Sequence, residues 1–295
     1  MTSCDWLLHT WIQTIHRIIN KQLQQSMTYY TWTSAIALTW SSAIALWLAV
    51  TCGITFAALP YSKPFTANSI VTSLLFFNNL NIFIAICEIC LGYHIMYIKK
   101  DYQERLKKYG NGMAWDGVFQ LLSMPITVKE MFDGKTWALM WSTYALFDPS
   151  YQNYESYGFF IDVGNGWTTI PPCLYLNYAM IYPENVNHLI LGCVVIASYW
   201  QMLYGTIIYF FSFFFNKRYE GHNRVSIFLF VGFTNGVWVI FPSIAIYSAY
   251  CILRDGNLSI FSPSSWGDRE REGTREHWRR FLILVKSPSS MRSNK

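Results

Sequence analysis

Between Trp141 and Pro171 the chain places Tyr144, Asp148, Tyr151 and Asp162, four side chains able to donate or accept a proton. Asp148-Pro149-Ser150-Tyr151 is turn chemistry, because an aspartate bonds its own backbone and proline fixes φ. Asp148 therefore reads as a turn or helix cap. Asp162 is different. It follows Gly158-Phe159-Phe160-Ile161 and opens a long apolar segment, and a carboxylate inside a membrane helix is costly and marks a functional site by default. Asp116 and Gln120 form a second polar set at i, i+4, on one helix face. They can point into one cavity, or they can form a helix–helix hydrogen-bond pair that only stabilises a bundle. Asn235 lies one turn from Trp238, close enough in sequence to position an acid, and Trp238 and Tyr151 offer π faces to a cation. Glu88 and His94, six apart, fall on roughly opposed faces and share no obvious site. Cys87-Glu88-Ile89-Cys90 has the spacing of a redox or zinc half-site, but inside an apolar run it reads as packing.

The composition says what must hold these groups. Of 295 residues, 53% are hydrophobic, 18% aromatic and only 13% charged. A soluble domain carries about 25% charged residues, so this chain lacks the polar groups to cover itself in water. It reads as a polytopic membrane protein. The net charge of +5 belongs to membrane-flanking loops, since no basic stripe with interleaved aromatics offers a nucleic-acid surface. No phosphate loop, Ser-His-Asp set or metal-ligand cluster stands out.

Taken in order, residues 1–32 alternate apolar and polar groups at helical spacing, as in an amphipathic helix lying on a membrane. The first thirty residues are too polar for a cleavable signal sequence. Spanning candidates follow at 33–59, 69–97, 156–181, 187–215 and 225–252, each long enough for the roughly 20 residues a bilayer requires. Lys99, Lys100, Arg105, Lys107 and Lys108 read as a basic loop. Residues 112–131 are mostly apolar but contain Asp116, Gln120 and Pro125. If they cross, sixteen basic residues fall on one face against six on the other, which favours six helices with both termini cytosolic. Residues 253–295 read as a polar cytosolic tail.

Trp141, Tyr144, Asp148, Tyr151, Asp162 eleven residues on and Pro171 nine beyond it resemble the emopamil-binding protein family. These are the EXPERA-domain membrane proteins that include sterol Δ8-Δ7 isomerase and the sigma-2 receptor. The pattern continues as Tyr204-Gly205, Tyr209-Phe210, Asn235, Trp238 and Pro242, and covers roughly residues 70–252. The resemblance implies an all-α, polytopic transmembrane bundle in the endoplasmic reticulum, with a five-helix EXPERA-like core at 69–252 and one extra N-terminal helix at 33–59. It implies catalytic roles for Asp162, Asp116 and Gln120, and substrate contacts from Trp238, Asn235, Tyr151 and Tyr204. The chemistry implied is protonation of an alkene, a held carbocation and loss of a neighbouring proton, with no cofactor and no metal. A hydrophobic small molecule and membrane lipid are the partners expected, nucleic acid is not, and a homodimer is open. The rival reading is a non-enzymatic sterol or lipid binder of the sigma-2 type.

Three positions depart from the isomerase pattern. Asp162 and Gln120 stand where the isomerase has Glu, and Asp116 where it has His. Shortening Glu to Asp withdraws the carboxyl by about 1.3 Å, and misplacement on that scale can cost on the order of 100-fold in rate. A specialised terpenoid is therefore at least as good a substrate class as a sterol. We expect the chain not to replace a missing sterol Δ8-Δ7 isomerase in cells. The triple change Asp162→Glu, Gln120→Glu, Asp116→His should give trace sterol isomerisation. Growth rescue by the unmodified chain would remove the inference.

Overall fold

The computed structural model describes residues 38–59, 68–110, 112–154 and 157–262, and these are overwhelmingly helical. The amphipathic segment expected at 1–32 and nearly all of the tail lie outside the described residues. Strand β1 (Leu38–Thr39) leads into α1 (Trp40–Ala57), whose first turn is capped by the Thr39 hydroxyl accepting from the Ser42 amide at 3.2 Å. Then come α2 (Ser69–Tyr109), α3 (Ala114–Ser123), β2 (Pro125–Ile126), α4 (Val128–Met131) and α5 (Gly134–Tyr144). A 3-10 turn at Pro149–Gln152 precedes α6 (Tyr157–Ile181), α7 (His188–Phe215) and α8 (Arg224–Asp255). The last of these contains a π-helical stretch at Phe228–Phe233.

Four helices, α1, α2, α7 and α8, are long and apolar enough to cross a membrane, consistent with an integral membrane protein. The expected spans at 33–59, 187–215 and 225–252 correspond to α1, α7 and α8. Helix α6 matches the span expected at 156–181 in length, with 25 residues, but its Asp162, Asn165, Thr168, Thr169 and Asn177 make it less apolar.

Two expectations change. The basic stretch 99–108 is helix, because nothing in it breaks the backbone until Gly110 and Gly112, the latter at φ +79°. Helix α2 is kinked at His94, whose φ of −116° and ψ of 21° are non-helical, so Ser69–Tyr93 is one segment, about 37 Å long and enough to cross a bilayer, and the lysine-rich stretch belongs to a second segment beyond the kink. Residues 112–131 form no single crossing helix. Helix α3 has 10 residues, about 15 Å. It ends where Met124 turns extended before Pro125, and Ile126 pairs with Leu38. A new helix then starts at a capping box, in which Thr127 accepts from the Glu130 amide and the Glu130 carboxylate accepts from Thr127.

The chain forms two compact units. The first comprises Cys87–Val163, Phe215–Ile227 and the described residues up to Trp47; Trp40, Ala43, Leu121, Ile126 and Leu139 pack at one of its cores. The second comprises Leu48–Ile86, Gly164–Phe214 and the described residues from Phe228 on, with Leu74, Leu75, Phe77, Leu176, Tyr199 and Ala249 among its buried residues.

Contacts inside the first unit bear on topology. The Trp115 indole donates to the Ser226 hydroxyl at 2.9 Å, Phe147 stacks on His222, and Arg218 pairs with Asp148 at 3.3 Å. These contacts pack Trp115, Phe147 and Asp148, before α6, against Ser226, His222 and Arg218, after α7. If α7 crosses a membrane, α6 must cross it too, and α8 then leads to the opposite face. On that reading the side with 112–154 and 216–224 holds ten lysines and arginines, counting the end of α2, against Lys63 in 58–68 and the nine of the tail, eight of which lie beyond residue 268. Short connections enriched in Lys and Arg stay cytosolic. We predict five crossings with the tail on the luminal face, in place of six with both ends cytosolic. A glycosylation tag after Lys295 should be modified in microsomes and one inserted at Gly112 should not; the opposite pattern would overturn the assignment.

Candidate functional site

In the first unit the sequence builds an aromatic wall beside two acids. Asp133 caps α5 by accepting from the Lys135 amide at 2.9 Å, and Gly134 lets the helix start against α2. A Cβ on Gly134 would lie 2.8 Å from the His94 Nε2, so a larger residue would push the two helices apart. Further along, the Trp141 indole N–H donates to the Cys87 carbonyl at 2.7 Å and fixes α5 on α2. Trp141 stacks on Tyr151 with ring centres 5.2 Å apart, and Tyr144 meets Tyr151 edge-on at 4.7 Å. Such offset and edge contacts suit aromatic quadrupoles.

Asp148 sets where Tyr151 stands. Its carboxylate is fully buried, accepts from the Ser150 amide at 3.0 Å, and caps the 3-10 turn, as the turn chemistry predicts. Its other oxygen takes Arg218 Nη1 at 3.3 Å. From this turn the Tyr151 hydroxyl comes within interaction range of the Asp162 carboxylate on α6. Gly158, one turn before Asp162, keeps the way clear: a Cβ there would lie 3.1 Å from the Tyr151 ring and 3.0 Å from Ser150 Oγ. Gly92 plays the same part on α2, where a Cβ would stand 3.1 Å from Val163.

Glu88 completes the group. It is 5% exposed, stands within electrostatic range of Asp162, and its Oε2 has no hydrogen-bond partner. Sequence reasoning set it aside with His94. The signal that could have found it is the one that found Asp162, a lone carboxylate within an apolar helix.

The other expected residues go elsewhere. Gln120 Oε1 accepts from Arg105 Nη1 at 3.2 Å, and buried Arg105 also pairs with Asp101 at 2.5 Å, which Ser142 bonds in turn. Asp116 is partly buried in the first turn of α3, where a carboxylate suits the helix dipole. No contact between Asp116 and Asp162 is present among the described residues. Asn235, Trp238 and Tyr204 belong to the second unit. The Trp238 indole donates to Asn81 Oδ1 at 2.9 Å. Asn235 donates to the Val231 carbonyl at 2.8 Å, serving the π-helical stretch of its own helix. Tyr204, 49% exposed, stacks on Trp200 along the outer face of α7. Among the described residues no group of His, Cys, Asp and Glu could hold a metal, and Cys87 and Cys90 are free thiols.

No family model, curated protein or solved structure matches the chain.

The Asp148–Arg218 pair generates a stability prediction. Removing one partner of a buried ion pair leaves an uncompensated charge, at a cost of about 3–5 kcal/mol. Arg218→Met should lower the melting temperature of the purified chain sharply. Adding Asp148→Asn to Arg218→Met should recover part of the loss, because the stranded charge is gone. Equal melting of Arg218→Met and the unmodified chain would show the pair contributes nothing.

Proposed function

We propose that the chain is an integral membrane isomerase or cyclase of the endoplasmic reticulum. It acts on a hydrophobic sterol-like or terpenoid alkene by protonation to a carbocation followed by deprotonation, without a cofactor. The observation that carries this reading is an acid with a phenol donor and an aromatic wall in an otherwise apolar protein: Asp162, within interaction range of Tyr151, beside Trp141 and Tyr144. The ordered agreement of residues with the emopamil-binding protein pattern points the same way.

The chemistry asks for three things, and each has a candidate. A carbocation needs a negative field and π faces, worth up to about 2 kcal/mol per ring when desolvated; Trp141, Tyr144 and Tyr151 supply the rings. A base must sit still while a proton is removed, and the hydroxyl of Tyr151 is in range to anchor the Asp162 carboxylate. Water must be kept from the cation, which apolar helices accomplish. The substrate partitions into the bilayer and reaches the site from there.

A non-enzymatic sterol or lipid binder of the sigma-2 type would use the same residues without turnover. Solvent deuterium separates the two. Membranes carrying the chain, incubated in D2O with sterol-type and terpenoid alkenes, should place deuterium on carbon in at least one of them. Asp162→Asn keeps the size but removes the proton-accepting carboxylate, and should abolish incorporation while the protein stays inserted and folded. Undiminished incorporation by Asp162→Asn would end the acid–base reading. Saturable binding of these alkenes without incorporation would favour the binder.

A further inference from the structure

Glu88 is an expensive residue with no structural explanation. It lies in α2 among Ile86, Cys87, Ile89 and Cys90, is 5% exposed, and leaves Oε2 without a partner. A buried polar atom that lacks a hydrogen bond keeps its full desolvation cost, and a charged group more so. Other buried polar side chains of α2 show what a purely structural role looks like. Asn78 donates to Asn177 at 2.7 Å and accepts from Tyr199, while Asn81 accepts from Trp238 at 2.9 Å. Their polar atoms are used within the protein. Glu88 Oε2 is kept open beside Asp162.

The two acids differ in their partners. Asp162 has the Tyr151 hydroxyl within interaction range as a donor. Glu88 Oε2 has none, and a carboxyl in that position supplies its own when it carries a proton. Two adjacent carboxylates in a low-dielectric site cannot both ionise without strong repulsion.

We propose that Glu88 is the proton donor of the site and Asp162 the proton acceptor, an acid–base pair that returns to its starting state each turnover. This rests on the isomerase reading. The Glu88 proton adds to one alkene carbon: a C–H bond forms from the π electrons, and the neighbouring carbon becomes the cation. Asp162 then takes a proton from the carbon on the cation's far side, and that C–H pair becomes the new double bond. Between turnovers Asp162 loses its proton to solvent and Glu88 takes one from it, which restores both groups and brings solvent deuterium to carbon. No proton or electron is gained or lost overall. The role that the family resemblance implies for Asp116 passes to Glu88, on another helix.

Two measurements test this. In the purified full chain at neutral pH, the infrared spectrum should contain a protonated-carboxyl C=O stretch that shifts in D2O and is lost in Glu88→Gln. A band that survives Glu88→Gln, or its absence from the unmodified chain, overturns the proposal. In the deuterium assay with sterol-type and terpenoid alkenes, Glu88→Gln should lower incorporation by at least about 100-fold, the lower end of what a positioned acid contributes. Glu88→Asp should restore part of it, which a packing role would not. Incorporation retained in Glu88→Gln but lost in Asp116→Asn would return the role to Asp116. If the unmodified chain incorporates no deuterium, the isomerase reading fails, and the infrared band alone decides whether Glu88 holds the proton.

Discussion

In hydrocarbon every polar group must find its partner inside the protein, because no water is there to substitute. That constraint explains most of the polar geometry in this chain. The Trp141 indole, which could not be left unsatisfied, goes to the Cys87 carbonyl and thereby holds α5 against α2. The Thr206 and Ser248 hydroxyls bond back to the carbonyls of Met202 and Ile244 in their own helices. Asn78, Asn177 and Tyr199 satisfy one another. Against this background a buried polar atom without a partner is informative, and the Glu88 carboxyl oxygen is such an atom.

The same constraint shapes the support of the site. Tyr151 can serve Asp162 only if the turn that carries it is rigid, and the turn is fixed by a fully buried aspartate. A buried aspartate needs a counter-charge, and Arg218 reaches in from the connection after α7 to provide one. The position of a phenol oxygen in the candidate site thus depends on an arginine 67 residues further along the chain. Small residues complete the arrangement. Gly158 admits the Tyr151 ring, and Gly92 and Gly134 admit Val163 and the His94 ring more closely than side chains ordinarily pack.

How much of this could be read from sequence follows from the range of each interaction. Local rules served well. Asp-Pro-Ser-Tyr was a turn, Asp148 its cap, and the apolar runs at 33–59, 187–215 and 225–252 were helices. The break within 112–131 was also legible, since Thr127-Val128-Lys129-Glu130 spells a capping box that restarts a helix. Average hydropathy outweighed it in the reading. Long-range pairing was beyond reach. Nothing local says that Gln120 goes to Arg105 or that Trp238 goes to Asn81, and i, i+4 spacing places Asp116 and Gln120 on a face without saying what that face meets.

Glu88 shows why a pair cannot be found by inspecting each member's neighbours in sequence. Beside His94 it looked unmatched, since six residues place the two on opposed faces of one helix. Its counterpart lies 74 residues away on α6. A carboxyl on each of two helices is a better arrangement for reversible proton transfer than two on one. The backbone of each helix is held by its own ladder of hydrogen bonds, so the gap between the acids is set by helix packing. That packing rests on contacts such as Gly92 against Val163, where an added Cβ would lie 3.1 Å from Val163 Cγ1 and the valine would have to give way. In the proposed mechanism the small residues at this seam help set the separation of the two acids.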